Sequence, residues 1–199
     1  MPRFDRPDPL RWLVTEWQWP KAAVFAAVFL LALLPIVWSE LGLAAALIYA
    51  QLPVYMLHQL EEHGHDRFRR FVNERMAGGR EALTPGLTFA INLGLVWALF
   101  VAVFLLAYYV DPALGLIAVC TTGVNAVVHV LAGAARREYN PGLITAVALF
   151  VPLTVASLIE VPGAYDPDAA DWGLAIGVAV VGHLAIVGAV GVRLRRLAS

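Results

Sequence analysis

The chain has one cysteine, one lysine, five histidines and little charge: Asp, Glu, Lys and Arg together make up 15% of its 199 residues. A lone Cys120 inside an apolar run excludes an intramolecular disulfide and reads as a buried thiol. Soluble domains carry about 25% charged residues, so so low a fraction argues against an ordinary water-facing surface. The net charge of −1 offers no electrostatic footing for a nucleic-acid partner. No short apolar core with a small-residue cleavage site follows the Trp- and Arg-bearing first nineteen residues, so no cleaved leader is expected. Internal repeats, low-complexity tracts and a second domain are likewise not evident.

What is abundant is apolar sequence: 60% hydrophobic residues, with a mean hydropathy of +0.73. A helix needs about 20 apolar residues to cross the hydrocarbon core. Six stretches qualify, at residues 21–38, 41–60, 83–110, 112–135, 141–159 and 172–192. The expected fold is all-α: one polytopic domain of six transmembrane helices, preceded by an interfacial segment over residues 1–20. The first two spans form a hairpin, and Pro35 and Pro53 are expected to kink them.

All fourteen basic residues can be assigned to one side. Arg3, Arg6, Arg11 and Lys21 precede the first span or border it. Arg67, Arg69, Arg70, Arg75 and Arg80 lie between spans two and three, and Arg136 and Arg137 between spans four and five. Arg193, Arg195 and Arg196 follow span six. The remaining connections carry only acidic charge, from Glu40, Asp111, Glu160, Asp166, Asp168 and Asp171. An even number of crossings puts both termini on one side, and the positive-inside rule makes it the cytoplasm of a multi-pass cell-membrane protein. Trp38, Tyr108, Tyr109, Tyr165 and Trp172 suit an outer aromatic belt; Trp12, Trp17, Trp19 and Tyr139 suit an inner one.

Ionisable groups inside a membrane are costly and mark function by default. Span two ends in His58-Gln59-Leu60-Glu61-Glu62-His63-Gly64-His65. His58, Glu61, Glu62 and His65 share one helical face at i, i+3, i+4 and i+7, which Tyr55 and Gln51 extend inward. Imidazoles and carboxylates at this spacing suit zinc, iron or manganese. Glu62-x-x-His65 is also the ligand spacing of di-iron carboxylate bundles, although Gly64 weakens the helix there. His63 and His65 border a charge-rich loop, where solvation competes with any site role. Span three offers Thr88 and Asn92, span four Thr122, Asn125 and His129, and span six His183. Counted from the nearest cytoplasmic boundary, His58 lies roughly 13 Å deep, Asn92 and His129 roughly 10 Å, and His183 roughly 15 Å. The outer halves of the same spans have no ionisable group. Packing polar groups have no reason to choose one leaflet, although Asn92 and Asn125 as interhelical glue and His183 as a packing histidine remain alternatives residue by residue.

These blocks resemble a known family. His58-x-x-Glu61-Glu62 is similar to the signature of the HXXEE-motif integral membrane proteins. His129, the basic pair after it and Tyr139-Asn140-Pro141-Gly142-Leu143 resemble a second block of that family, and His183 a late histidine. The resemblance spans roughly residues 41–192. It implies a polytopic membrane protein with a His/Glu site and supplies no reaction.

The expectation from the residues is a metal-dependent enzyme, a hydrolase or oxygenase, acting on a lipid or other hydrophobic small molecule, with membrane lipids as its surroundings and no organic cofactor. The metal ligands would come from His58, Glu62, His129, His183 and His65. Glu61 or Glu62 would act as general base, and Asn92 or Asn125 would position substrate or stabilise an oxyanion. Five histidines are fewer than the desaturases and hydroxylases use. Two alternatives are a metal-free glutamate-dependent hydrolase and a proton-coupled carrier. The first resembles the CAAX-type intramembrane proteases but has Asp66 where they place arginine. The second lacks a visible inverted repeat.

Overall fold

A computed structural model describes residues 12–197. All regular structure among them is helical. Five helices are long and apolar enough to cross a membrane: one beginning at Trp19, then α2 (Pro85–Tyr109), α3 (Pro112–Arg136), α4 (Leu143–Tyr165) and α5 (Ala169–Arg196). The first, α1 (Trp19–His63), is continued by short helical turns to Met76.

α1 is not one rod. Gly42 sits at φ +86°, outside helical space, and the chain doubles back there. Tyr49 Oη donates to the Leu30 carbonyl at 2.9 Å. Nineteen residues of straight helix would hold those groups about 28 Å apart. Ala23 and Ala27 pack against Met56 in the same way. The expected hairpin is therefore present, with its turn at Gly42 rather than at residues 39–40, because only glycine takes a positive φ without a Cβ penalty. Pro35 and Pro53 lie inside the arms, yet Gly42 alone departs from helical φ/ψ.

Local chemistry sets the other helix starts, and it moves several boundaries. Thr84 caps α2, its Oγ1 accepting from Leu87 N at 3.2 Å ahead of Pro85. Asp168 and Asp171 form a reciprocal capping box that starts α5 at Ala169, three residues before the sequence expectation. α4 runs on through Pro162 to Tyr165, six residues beyond the expected end. Of the expected interfacial segment, residues 1–11, including Arg3, Arg6 and Arg11, lie outside the described residues; Trp12–Glu16 is a single π-helical turn.

The surface and interior are inverted relative to a water-soluble protein. Phe25, Phe29, Leu131 and Val187 stand 62–72% exposed, whereas His58, Gln51, Gln59, Thr122 and Ser157 are completely buried. Exposed apolar area on this scale is stable in lipid, where interior polar groups must satisfy one another. This is the arrangement of a multi-pass membrane protein.

The bundle has two distinct ends. Leu41 beside the Gly42 turn, Tyr108 at the end of α2, Pro112 at the start of α3 and Tyr165 at the end of α4 line one small hollow at the first end. At the other end, Arg193 Nε reaches the Glu81 carbonyl at 3.0 Å, and the second arm of α1 meets the start of α4. The His/Glu motif lies at that second end.

Candidate metal centre

His58, Glu62 and His129 converge, all buried, with one potential ligand atom from each lying within 4.8 Å of the others. His58 and Glu62 come from adjacent turns of the second arm of α1, His129 from α3. His58 Nε2 is 3.5 Å from Glu62 Oε2, and His129 Nε2 is 3.7 Å from Glu62 Oε1.

The surrounding hydrogen bonds decide where the imidazole hydrogens are. Asn140 Nδ2 donates to the His129 carbonyl at 3.0 Å, which fixes the amide and turns Oδ1 toward His129 Nδ1 at 2.7 Å. An amide oxygen only accepts, so Nδ1 of His129 carries the hydrogen and Nε2 presents a lone pair. Thr145 works likewise on His58. Its hydroxyl donates to Glu61 Oε2 at 2.5 Å and accepts from His58 Nδ1 at 2.8 Å. In the neutral ring the Nε2 of His58 is therefore also a lone pair, and it has no hydrogen-bond partner among the described residues. With both rings neutral, two imidazole lone pairs and a carboxylate face one another.

Three mutually facing acceptors repel unless a cation sits among them. Ligands about 2.0–2.2 Å from a tetrahedral zinc lie roughly 3.3–3.6 Å apart, and each imidazole stands at a comparable distance, 3.5 and 3.7 Å, from one of the two Glu62 oxygens. The outward Nδ1–H groups, each held by a polar partner, are the usual support for metal-binding imidazoles. The donor set thus fits a divalent metal bound through nitrogen and oxygen.

Glu61 and Glu62 separate cleanly, because successive helical residues point about 100° apart. Glu61 turns away to cap α4, taking bonds from Ile144 N at 3.1 Å, Thr145 N at 2.7 Å, the Thr145 hydroxyl and Tyr139 Oη at 2.9 Å. A carboxylate at a helix N-terminus satisfies otherwise unpaired N–H groups and meets the positive end of the dipole. Burial and the Glu61 carboxylate raise the Tyr139 phenol above its ordinary pKa, so it stays a donor. With its oxygens engaged by four donors, Glu61 is a positioning group, not a free base. Arg67 caps the C-terminal end of α1 through the Leu60 and Gly64 carbonyls, both at 3.0 Å.

Other sequence candidates fall elsewhere. His65 lies beyond the end of α1, at φ +55° and exposed; the helical register that aligned it with His58 stops at Gly64. His183 spends Nδ1 on the Ala179 carbonyl of its own helix at 2.8 Å and is not in the cluster. Asn92 is engaged at both ends: its Nδ2 donates to Thr88 O, and its Oδ1 accepts from Gln59 at 2.9 Å and His63 at 3.1 Å. Asn125 donates to Tyr55 Oη at 2.6 Å, while its Oδ1 is buried and unpartnered.

Several participants are not legible from the motif. His63 is buried, and its Nε2 faces two acceptors, Asn92 Oδ1 and Glu62 Oε2 at 3.1 Å, so it carries a hydrogen there and steadies Glu62. Phe150 stacks on His58, with ring centroids 4.3 Å apart. Gly142, at φ +102°, lies directly on both imidazoles; a Cβ there would come within 2.6 Å of His129 and 2.7 Å of His58. The segment 139–142 thus reads in sequence as a helix break and serves in space as one wall of the site. π-helical turns at Ala90–Trp97 and Ala146–Phe150 flank the cluster, a feature that concentrates at functional sites.

Comparison with known proteins agrees with the motif. The sequence matches no curated protein and no solved structure. A family model described as a protein of unknown function with HXXEE motif matches residues 49–157, which contain the cluster, its supporting turn and the Glu61 cap. That match covers more than half of the 199 residues, and the chain belongs to the HXXEE-motif family.

Proposed function

We propose that this protein is a metal-dependent membrane enzyme acting on a lipid or other hydrophobic substrate, with its site in the cytoplasmic leaflet. The supporting observation is the buried trio His58, Glu62 and His129, whose potential ligand atoms lie within 4.8 Å of one another, with His58 Nε2 lacking a hydrogen-bond partner among the described residues. In this reading those three residues hold a divalent cation, zinc, iron or manganese, and leave an open position, as catalytic zinc sites do. Such a cation supplies Lewis-acid polarisation and activation of water at neutral pH.

The chain's own groups do the rest. Asn140 and Thr145 hold the two imidazoles in the ligating tautomer. His63 steadies Glu62, and Glu61 locks the start of α4 against the end of α1, keeping the Gly142 wall in place. The Oδ1 of Asn125, unpartnered among the described residues, is an acceptor that a substrate group could use. An apolar outer surface suits lateral entry from the bilayer.

Six crossings with both termini cytoplasmic complete the proposal. The Gly42 hairpin supports two crossings within α1, and the concentration of arginine toward the site's end supports the orientation.

Elemental analysis of the purified protein tests the reading. Near-stoichiometric metal in the wild type, lost in His129→Ala and Glu62→Gln while helicity is kept, is the expected result. Three equally helical, metal-free proteins would sink it and leave a metal-free acid–base pair of Glu62 and His63.

A further inference from the structure

Beside the cluster lies an open cleft of ≈ 460 Å³, lined by both ends of α1, the residues flanking them and the start of α2. Among the described residues that line it, Lys21, Arg67 and Arg69 outnumber the one acid, Asp66. Lys21 is exposed and makes no ion pair among the described residues. Arg67 spends hydrogen bonds on two backbone carbonyls and makes no ion pair among the described residues. The acid in the wall, Asp66, is already matched by Arg69, which also reaches Glu81 at 3.1 Å. Pro85 and Thr88 bring the N-terminal turn of α2 to the same space, adding the positive end of a helix dipole.

Two tryptophans, Trp17 and Trp19, line the cavity with these cations, a pairing of aromatic and basic groups that suits the headgroup layer. One residue separates the cavity from the cluster. His63 forms part of the wall, stacks near Trp19 with centroids 5.1 Å apart, and touches Glu62 at 3.1 Å.

We propose that this cavity binds a phosphate group, carried by an anionic lipid at the membrane surface. A lipid held there by its phosphate would lie against the metal-binding end of the bundle. That it is the substrate rests on the enzyme reading above; the anion site itself does not.

The test is a tryptophan-fluorescence titration of the full-length protein in detergent, with short-chain phosphatidic acid, short-chain phosphatidylcholine and inorganic phosphate as separate probes. Saturable binding of phosphatidic acid is expected, with phosphatidylcholine much weaker. Lys21→Glu should weaken phosphatidic acid about tenfold, since reversal replaces one attraction by a repulsion of similar size, and Lys21→Arg should restore it. Saturation by phosphatidic acid alone supports a lipid ligand. Equal saturation by inorganic phosphate keeps the site and makes its ligand a soluble phosphate. Equal binding of the two lipids, or a Lys21→Glu protein of wild-type helicity that binds as before, overturns the proposal. His129→Ala should lose metal and still bind phosphatidic acid, so failure of the cavity and failure of the metal site are read separately.

Discussion

Asn140 grips His129 at two points, accepting from its Nδ1 at 2.7 Å and donating to its backbone carbonyl at 3.0 Å. The amide therefore sets both the ring's orientation and its tautomer. Asn140→Leu should lower metal affinity about 10–100-fold, the usual cost of losing such a supporting group. Asn140→Asp keeps an acceptor for Nδ1–H and should retain most of that affinity. Competition against chelators of graded strength measures both; equal affinity in the leucine variant would refute the assignment.

The two glutamates of the motif should fail differently. Glu62→Gln removes a ligand and should abolish metal binding. Glu61→Gln weakens the cap of α4 and should cost about 1–2 kcal/mol of stability, in the range of a lost helix cap, with metal retained. Thermal unfolding beside elemental analysis separates them. Metal loss in both, with unchanged melting in Glu61→Gln, would contradict the division of labour.

Gly142→Ala places a methyl group against both imidazoles at a positive φ. A destabilisation of about 1–3 kcal/mol and loss of metal are expected. Gly177→Ala, where a Cβ meets nothing within 4 Å, is the control and should leave metal content and melting temperature alone. Similar behaviour of the two variants would remove Gly142 from the site.

The topology has a direct readout. In a chain with Cys120→Ala, single cysteines at Ser39→Cys, near the Gly42 turn, and Arg70→Cys, near the site, should react with a membrane-impermeant maleimide from opposite faces of sealed vesicles. Labelling of both from one face would rule out the six-crossing arrangement.

Sequence reached the centre of this site because part of it is local. His58 and Glu62 are four residues apart, and helical geometry alone puts them together. His129 was found by depth, since its distance from Arg136 matched the layer of the motif. The same arguments misplaced His65 and His183. One fails because the helix ends at Gly64 before the register reaches His65. The other matches in depth but is spent on its own helix, and which way a helix faces is fixed by packing. Adjacent glutamates could not be told apart, because the partner that claims Glu61 is the start of α4, more than eighty residues away. Asn140 and Gly142 showed themselves only as turn formers; their contacts with the imidazoles exist once the segment folds back. The overall helical fold was legible from hydropathy, while its boundaries followed caps such as Asp168 and the single glycine at residue 42.

The unequal ends of the bundle have a practical consequence. At the end away from the site, the chain turns on one glycine, on Val110–Asp111 and on residues 166–168. No loop there is long enough to fold into a platform, grip a protein or close over a ligand. The longer connections, residues 64–84 and 137–142, gather at the opposite end with the cluster and the basic cavity. Under the proposed function, substrate and product would therefore exchange at that end or through the lipid flanks.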